Sequence, residues 1–137
     1  MKHSAKFKNY KVTATYTGSK KAPWTSPNIP DNWNHHRITV YNLDNKKRTS
    51  FDFWASLANT KIVEEHDIIS AFYCFITDAT AGDMDFYEFC NEFGYEPLDN
   101  PEARQAWKGC KAAMKKANRI LTDDMYDLAD RLSENYG

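Results

Sequence analysis

Tyr10, Val12, Ala14 and Tyr16 alternate with Lys11, Thr13 and Thr15, and this period of two predicts a half-buried strand. Residues 37–42 repeat the pattern, with Ile38 and Val40 on one face and Thr39 and Tyr41 on the other. Residues 43–46 supply turn chemistry, and residues 48–54 form a third strand with Phe51 and Phe53 inward and Asp52 outward. The expected result is a three-stranded antiparallel meander with one face to be covered.

The period then changes to that of a helix. Glu64, Glu65 and Asp67 crowd the start of a predicted first helix, residues 64–79, where the helix dipole favours negative charge. Its apolar face holds Ile68, Ile69, Phe72, Tyr73, Phe75 and Ile76. Asp85 and Glu88 read as a capping box for a short second helix, with Met84 and Phe89 as its hydrophobic staple and Gly94 as its stop. Asn100 and Pro101 start a third helix running to about residue 121, through Ala103, Trp107, Cys110, Met114, Ala117 and Leu121. Thr122 is the expected cap of a fourth, carried by Met125, Leu128, Ala129 and Leu132. The fold class is therefore α+β. A meander in residues 1–56 precedes about four helices in residues 62–137, packed on one face of a single domain.

Between the first two strands lies an expected long loop, residues 17–34, with Pro23, Pro27, Pro30, Trp24 and Trp33. Loops of that length in a compact domain often carry function. The two tryptophans serve either a partner or a lid on the sheet.

At 137 residues the chain is long enough for a substantial core, and 18 basic against 19 acidic side chains give no global field. The balance conceals blocks. Residues 1–50 carry a net of +8, residues 51–102 a net of −11, residues 103–121 six bases and no acid, and residues 122–137 a net of −4. Such blocks form charged patches for a partner or pair with one another inside the fold. Arg104, Lys108, Lys111, Lys115 and Arg119 recur at intervals of 4, 3, 4 and 4, forming a cationic stripe bordered by Trp107. With Trp24 and Trp33, these are the basic and aromatic candidates for partner binding. Glu64, Glu65, Asp67 and Asp83 are the acidic ones.

Catalytic and metal chemistry finds little support. The sequence holds no phosphate-cradling glycine loop, GxSxG elbow or HExxH pair. His35 and His36 are adjacent, so on a strand they face opposite sides and cannot share a metal. A half-formed calcium loop around Gly82 has Met84, Asp85 and Glu88 in place, but puts Thr77, Ala79 and Ala81 where oxygen-rich ligands are needed. The expectation is a non-enzymatic protein without metal or cofactor. Three cysteines, Cys74, Cys90 and Cys110, fall on apolar helix sides and fit a reducing cytoplasm. Residues 1–11 lack the apolar run of a signal peptide, and no stretch approaches a membrane span.

The runs FDFWAS, SAFYCFITDATAGDMDFYEFCNEFGYE and AWKGCK, within residues 36–121, resemble a group of small phage and prophage proteins of bacteria. Those proteins share a Phe-rich strand, a helix ending in an Asp-Ala pair, an FxxFCxEFGY segment and a Trp-x-x-Cys helix. The FYEFCNEFGY segment is the specific part, and residues 1–35 lie outside the resemblance. It implies a context in the cytoplasm of a bacterial host, among proteins that resemble host-defence antagonists such as anti-CRISPR proteins. The leading expectation is a phage-encoded inhibitor of a bacterial defence nucleoprotein, foremost a CRISPR-Cas effector, whose acidic block stands in for phosphates against a basic groove. The alternative is a nucleic-acid-binding accessory of phage replication or recombination.

Overall fold

A computed structural model describes residues 2–21, 32–55, 64–96 and 100–136 of the chain. It is α+β, with β1 (Lys2–Phe7), β2 (Tyr10–Lys21), β3 (Asn32–Asn42) and β4 (Arg48–Ala55) followed by α1 (Glu65–Gly82), α2 (Phe86–Phe93), α3 (Pro101–Ile120) and α4 (Met125–Tyr136). Two compact units make up the chain, Met1–Ala71 and Phe72–Gly137, and α1 runs through the boundary.

In the first unit the strands pair in sequence order, every pair antiparallel. The sheet has four strands rather than the expected three. The added β1 buries Ala5 and Phe7 on one side and exposes Lys2, Ser4 and Lys6 on the other. Its period of two is present in the sequence, but alanine and histidine at inward positions carry little strand propensity. Lysines on such an edge strand also oppose pairing with another chain. The inward side of the sheet buries Tyr10, Val12, Ala14, Ile38, Val40 and Phe51. Asn42 is wholly buried, and its side-chain oxygen accepts from Asn9 Nδ2 at 3.0 Å and from the Asp44 N–H at 2.9 Å, fixing both turns.

Both ends of the expected loop at 17–34 are strand. β2 continues to Lys21 and β3 begins at Asn32, so Trp33 is a strand residue paired with Lys20. The prolines that argued against a strand all lie within 23–30, and their constraint reaches only neighbouring residues. They and Trp24 lie outside the described residues. A β-bulge interrupts the extended pair: Tyr16 faces His36 and Gly18 faces His35, leaving Thr17 as the extra residue. Gly18 takes φ +117°, which a side chain would strain.

In the second unit the N-caps of α2 and α3 and the stop of α2 fall at the expected residues. Asp85 accepts from the Glu88 N–H at 2.8 Å, Gly94 ends α2 at φ +76°, and Asn100 accepts from the Ala103 N–H at 3.1 Å. The fourth helix is capped two residues later than expected, by Asp124, which accepts from the N–H groups of Tyr126 and Asp127. A carboxylate beside the exposed helix start takes both donors, where the Thr122 hydroxyl lies too far upstream. α1 runs through Thr77, Ala79 and Ala81 to Gly82, and the Thr77 and Thr80 hydroxyls donate to helix carbonyls. That backbone is helix rather than the first half of a calcium loop. Ala81, Phe89, Cys90 and Ala103 form a buried cluster, with Met84, Phe86, Tyr95, Ala106, Trp107 and Cys110 packed against it.

Candidate functional site

Antiparallel register places the outward residues of all four strands in three cross-strand rows. Lys6, Lys11, Tyr41 and Arg48 make one, Ser4, Thr13, Thr39 and Ser50 the second, and Lys2, Thr15, Arg37 and Asp52 the third. Each member is exposed or half-exposed. The hydroxyl row is linked by Ser4 to Thr13 at 3.1 Å and by Thr39 to Ser50 at 2.9 Å. These rows hold five cations and one carboxylate, and that carboxylate is already held. Asp52 Oδ1 lies 3.1 Å from Arg37 Nη1 and 3.0 Å from His35 Nε2. The five cations come from the basic block of residues 1–50. Alternation marked Lys11, Thr13, Thr15, Thr39, Tyr41 and Asp52 as outward, but β1 and the register are needed to show which side chains are neighbours.

His35 also meets the bulge. Thr17 Oγ1 is hydrogen-bonded to His35 Nδ1 and donates to the His35 carbonyl at 3.2 Å. Thr17, His35 and Asp52 thus form a hydroxyl–imidazole–carboxylate chain across three strands, which no sequence pattern signals. The same order of groups serves nucleophilic hydrolases. Here His35 is buried against the Trp54 ring at 4.3 Å and Asp52 is shared with Arg37, so the chain ties the strands together across the bulge.

Burial alone raises the Asp52 pKa, but the hydrogen bonds from His35 and Arg37 and their charges outweigh it and hold the carboxyl below its ordinary value. On the opposite face of β3, His36 is 1 % exposed, its ring lies 5.3 Å from Tyr16, and neither ring nitrogen has a hydrogen-bond partner among the described residues. Burial first, and neighbouring His35 second, push its pKa down. Both shifts favour the deprotonated group in the folded state. Their stability is complete above the unfolded values and is lost as pH falls, first below about 6.5 for His36 and then below about 3.8 for Asp52. Urea denaturation at pH 7.5 and 5.5 is expected to show lower stability at the acid value. His36→Leu should shrink that difference, and an undiminished difference would assign it to other groups.

The remaining candidates fall in several places. On α3, Lys108, Lys115 and Arg119 are exposed as a solvent-facing stripe requires. Arg104 lies over the Phe86 ring at 4.4 Å and Lys111 over the Trp107 ring at 4.3 Å, so these two cover apolar surface. Trp107 is engaged by the fold: its indole N–H donates to the Met84 carbonyl at 3.0 Å, and its ring packs on Phe86 at 5.3 Å. Glu64, Glu65 and Asp67 sit at the start of α1, where His66 reaches Glu64 at 3.4 Å and Asp67 at 3.3 Å. Glu64, His66 and Asp67 bring ligand atoms within 4.8 Å of one another on an exposed turn, an arrangement that those ion pairs account for.

Asp83 accepts from the Tyr126 hydroxyl at 3.3 Å. Burial, then Asp83, Glu88 and Asp124, raise the pKa of that phenol, so these carboxylates surround it. The outward side of α2 adds exposed Tyr87, Glu88, Asn91 and Glu92, giving the second unit an acidic and aromatic surface. Of the cysteines, Cys90 is buried as expected, but Cys74 is exposed, because it lies opposite the face formed by Phe72, Phe75, Ile76 and Ala79. The Cys110 thiol is pushed up to about 11 by burial and by Asp78, which opposes nucleophilic use at neutral pH. No helix among the described residues is long and apolar enough to cross a membrane. No protein family, curated protein or solved structure matches the chain.

Proposed function

We propose that the protein acts by binding rather than catalysis, and that it binds nucleic acid through the open face of its four-stranded sheet. One observation carries this reading. The rows of that face present Lys2, Lys6, Lys11, Arg37 and Arg48 among hydroxyls, with Asp52 as their single, already paired acid. Cations spaced over an exposed sheet face suit repeated phosphates, and the hydroxyls add neutral hydrogen bonds to phosphate and sugar. The described acids of the 51–102 block, by contrast, are distributed over β4, α1 and α2 with their flanking residues, and the first turn of α3.

Fluorescence anisotropy with labelled oligonucleotides tests the reading. Contact with three or four phosphates predicts affinity falling about 40- to 150-fold for a duplex and about 20- to 50-fold for a single strand between 50 and 200 mM salt. Lys11→Glu with Arg48→Glu should abolish binding without lowering the melting temperature, since both positions are exposed. Binding that ignores both salt and the double variant would overturn it.

The acidic and aromatic surface around Tyr126 and α2 favours a second reading, inhibition of a defence nucleoprotein such as a CRISPR-Cas effector by occupation of its basic groove. In that case free oligonucleotides bind weakly, and a CRISPR interference assay loses inhibition with Glu88→Lys and Glu92→Lys but not with the Lys11/Arg48 pair.

A further inference from the structure

Resting on the nucleic-acid reading of the sheet, we infer that the face selects single strands and that Tyr41 is the platform on which one unpaired base stacks. Tyr41 is half-exposed in the middle of its row, with Lys11 directly opposite on β2 and Arg48 directly opposite on β4. Cross-strand partners of this kind stand about 5 Å apart at Cβ, so the ring has a cation on each side. Leu43 follows two residues later and is 38 % exposed. Tyr41 and Leu43 line one concavity of about 390 Å³ together with Lys2, Lys11, Thr39 and Arg48. That volume falls at the lower end of the range for small-ligand sites, about 300–1,000 Å³.

The chemistry of the concavity is mixed in a specific way. An aromatic ring and a leucine supply an apolar floor that phosphate does not need. The cations at its rim supply charge that an apolar ligand does not need. A nucleotide unit needs both, because its base has an apolar face and its phosphate a charge. In a duplex the base faces are covered by neighbouring bases, so the floor goes unused and only the cations contribute. In a single strand the base can lie on Tyr41 while flanking phosphates meet Lys11 and Arg48, with the Thr13–Thr39 row alongside the backbone. The selectivity thus comes from the apolar floor and the affinity mainly from the rim.

The experiment compares a labelled single-stranded DNA 12-mer, the same sequence as RNA, the DNA duplex and inorganic polyphosphate, all at one salt concentration. The wild-type chain is expected to bind both single strands about tenfold or more tightly than the duplex. Tyr41→Ala should weaken single-strand binding between about fivefold and a hundredfold, the loss of one stacked base, and leave duplex and polyphosphate binding unchanged. Tyr41→Phe should retain binding, because the ring rather than the hydroxyl is used. Tyr41→Thr, which keeps strand propensity, serves in place of the alanine variant if that one folds poorly. Equal binding of single strand, duplex and polyphosphate, or a Tyr41 variant that weakens all of them alike, would overturn the inference while leaving the sheet as a polyanion surface. If none of the four probes binds, the nucleic-acid reading itself falls. A preference for RNA over DNA or the reverse would support the platform and add a contact to the sugar.

Discussion

Phe89→Ala is expected to destabilise the protein by about 3–5 kcal/mol, the range for removing a buried phenylalanine. Phe89 is 2 % exposed and stacks between Phe93 at 4.8 Å and Tyr95 at 5.9 Å between ring centroids. It sits with Ala81 of α1, Cys90 of α2 and Ala103 of α3 in one cluster, so its removal opens a void that three helices border. Small side chains at Ala81 and Ala103 cannot extend to refill it, which places the cost in the upper part of the range. A loss of this size is a large fraction of the stability of a typical domain. Equilibrium urea denaturation of the variant measures it directly. A midpoint equal to that of the parent would mean that the ring does not hold these helices together.

Gly82→Ala is expected to cost about 3 kcal/mol, and to lower the melting temperature by roughly 10 °C. The added Cβ would lie 2.2 Å from the Cys110 carbonyl oxygen, 2.5 Å from its carbon and 2.8 Å from the Lys111 nitrogen. All three are backbone atoms of α3, so no side chain can turn aside, and α1 and α3 have to separate. The space requirement alone sets this cost, because a residue at the end of α1 has helical backbone that alanine adopts readily. Gly109→Ala is the matched control. Among the described residues nothing lies within 4 Å of its Cβ position on the exposed side of α3, so the same substitution there should stabilise by about 0.5–1 kcal/mol through helix propensity. Thermal unfolding of the two variants side by side is the measurement. Equal effects would mean that the close approach at Gly82 is absent.

The extent to which the fold was legible follows from how far each signal reaches. Asp85, Gly94 and Asn100 act on backbone groups within a few residues, so their caps are visible in sequence and appear where expected. Asp124 displaced Thr122 as the cap of α4 because both residue types can cap, and only the place where the chain turns into the helix selects between them. β1 was missed because Ala5 and His3 are weak strand formers that become strand by pairing with Val12 and Ala14. Trp107 shows the same limit in the candidate site. Its position on the border of the basic stripe made it a partner-binding candidate, but Met84, 23 residues away, provides the carbonyl that takes its N–H.

By itself the sequence determined the α+β class, the inward and outward sides of three strands, the extent of the helices to within a few residues, and the segregation of charge into blocks. Those are properties of periodicity and of neighbours along the chain, set by backbone geometry that every sequence shares. Tertiary structure alone decided that five of the ten cations of the basic block lie in rows on one open face, that Tyr41 stands between Lys11 and Arg48, and that the bulge brings Thr17 to His35. Each of these depends on which residue of one strand meets which residue of another, across separations such as the 18 positions from Thr17 to His35. Alternation fixes a side chain's face but is indifferent to sliding a strand by two residues, and that degeneracy is removed only by the turns and the packing of the buried face.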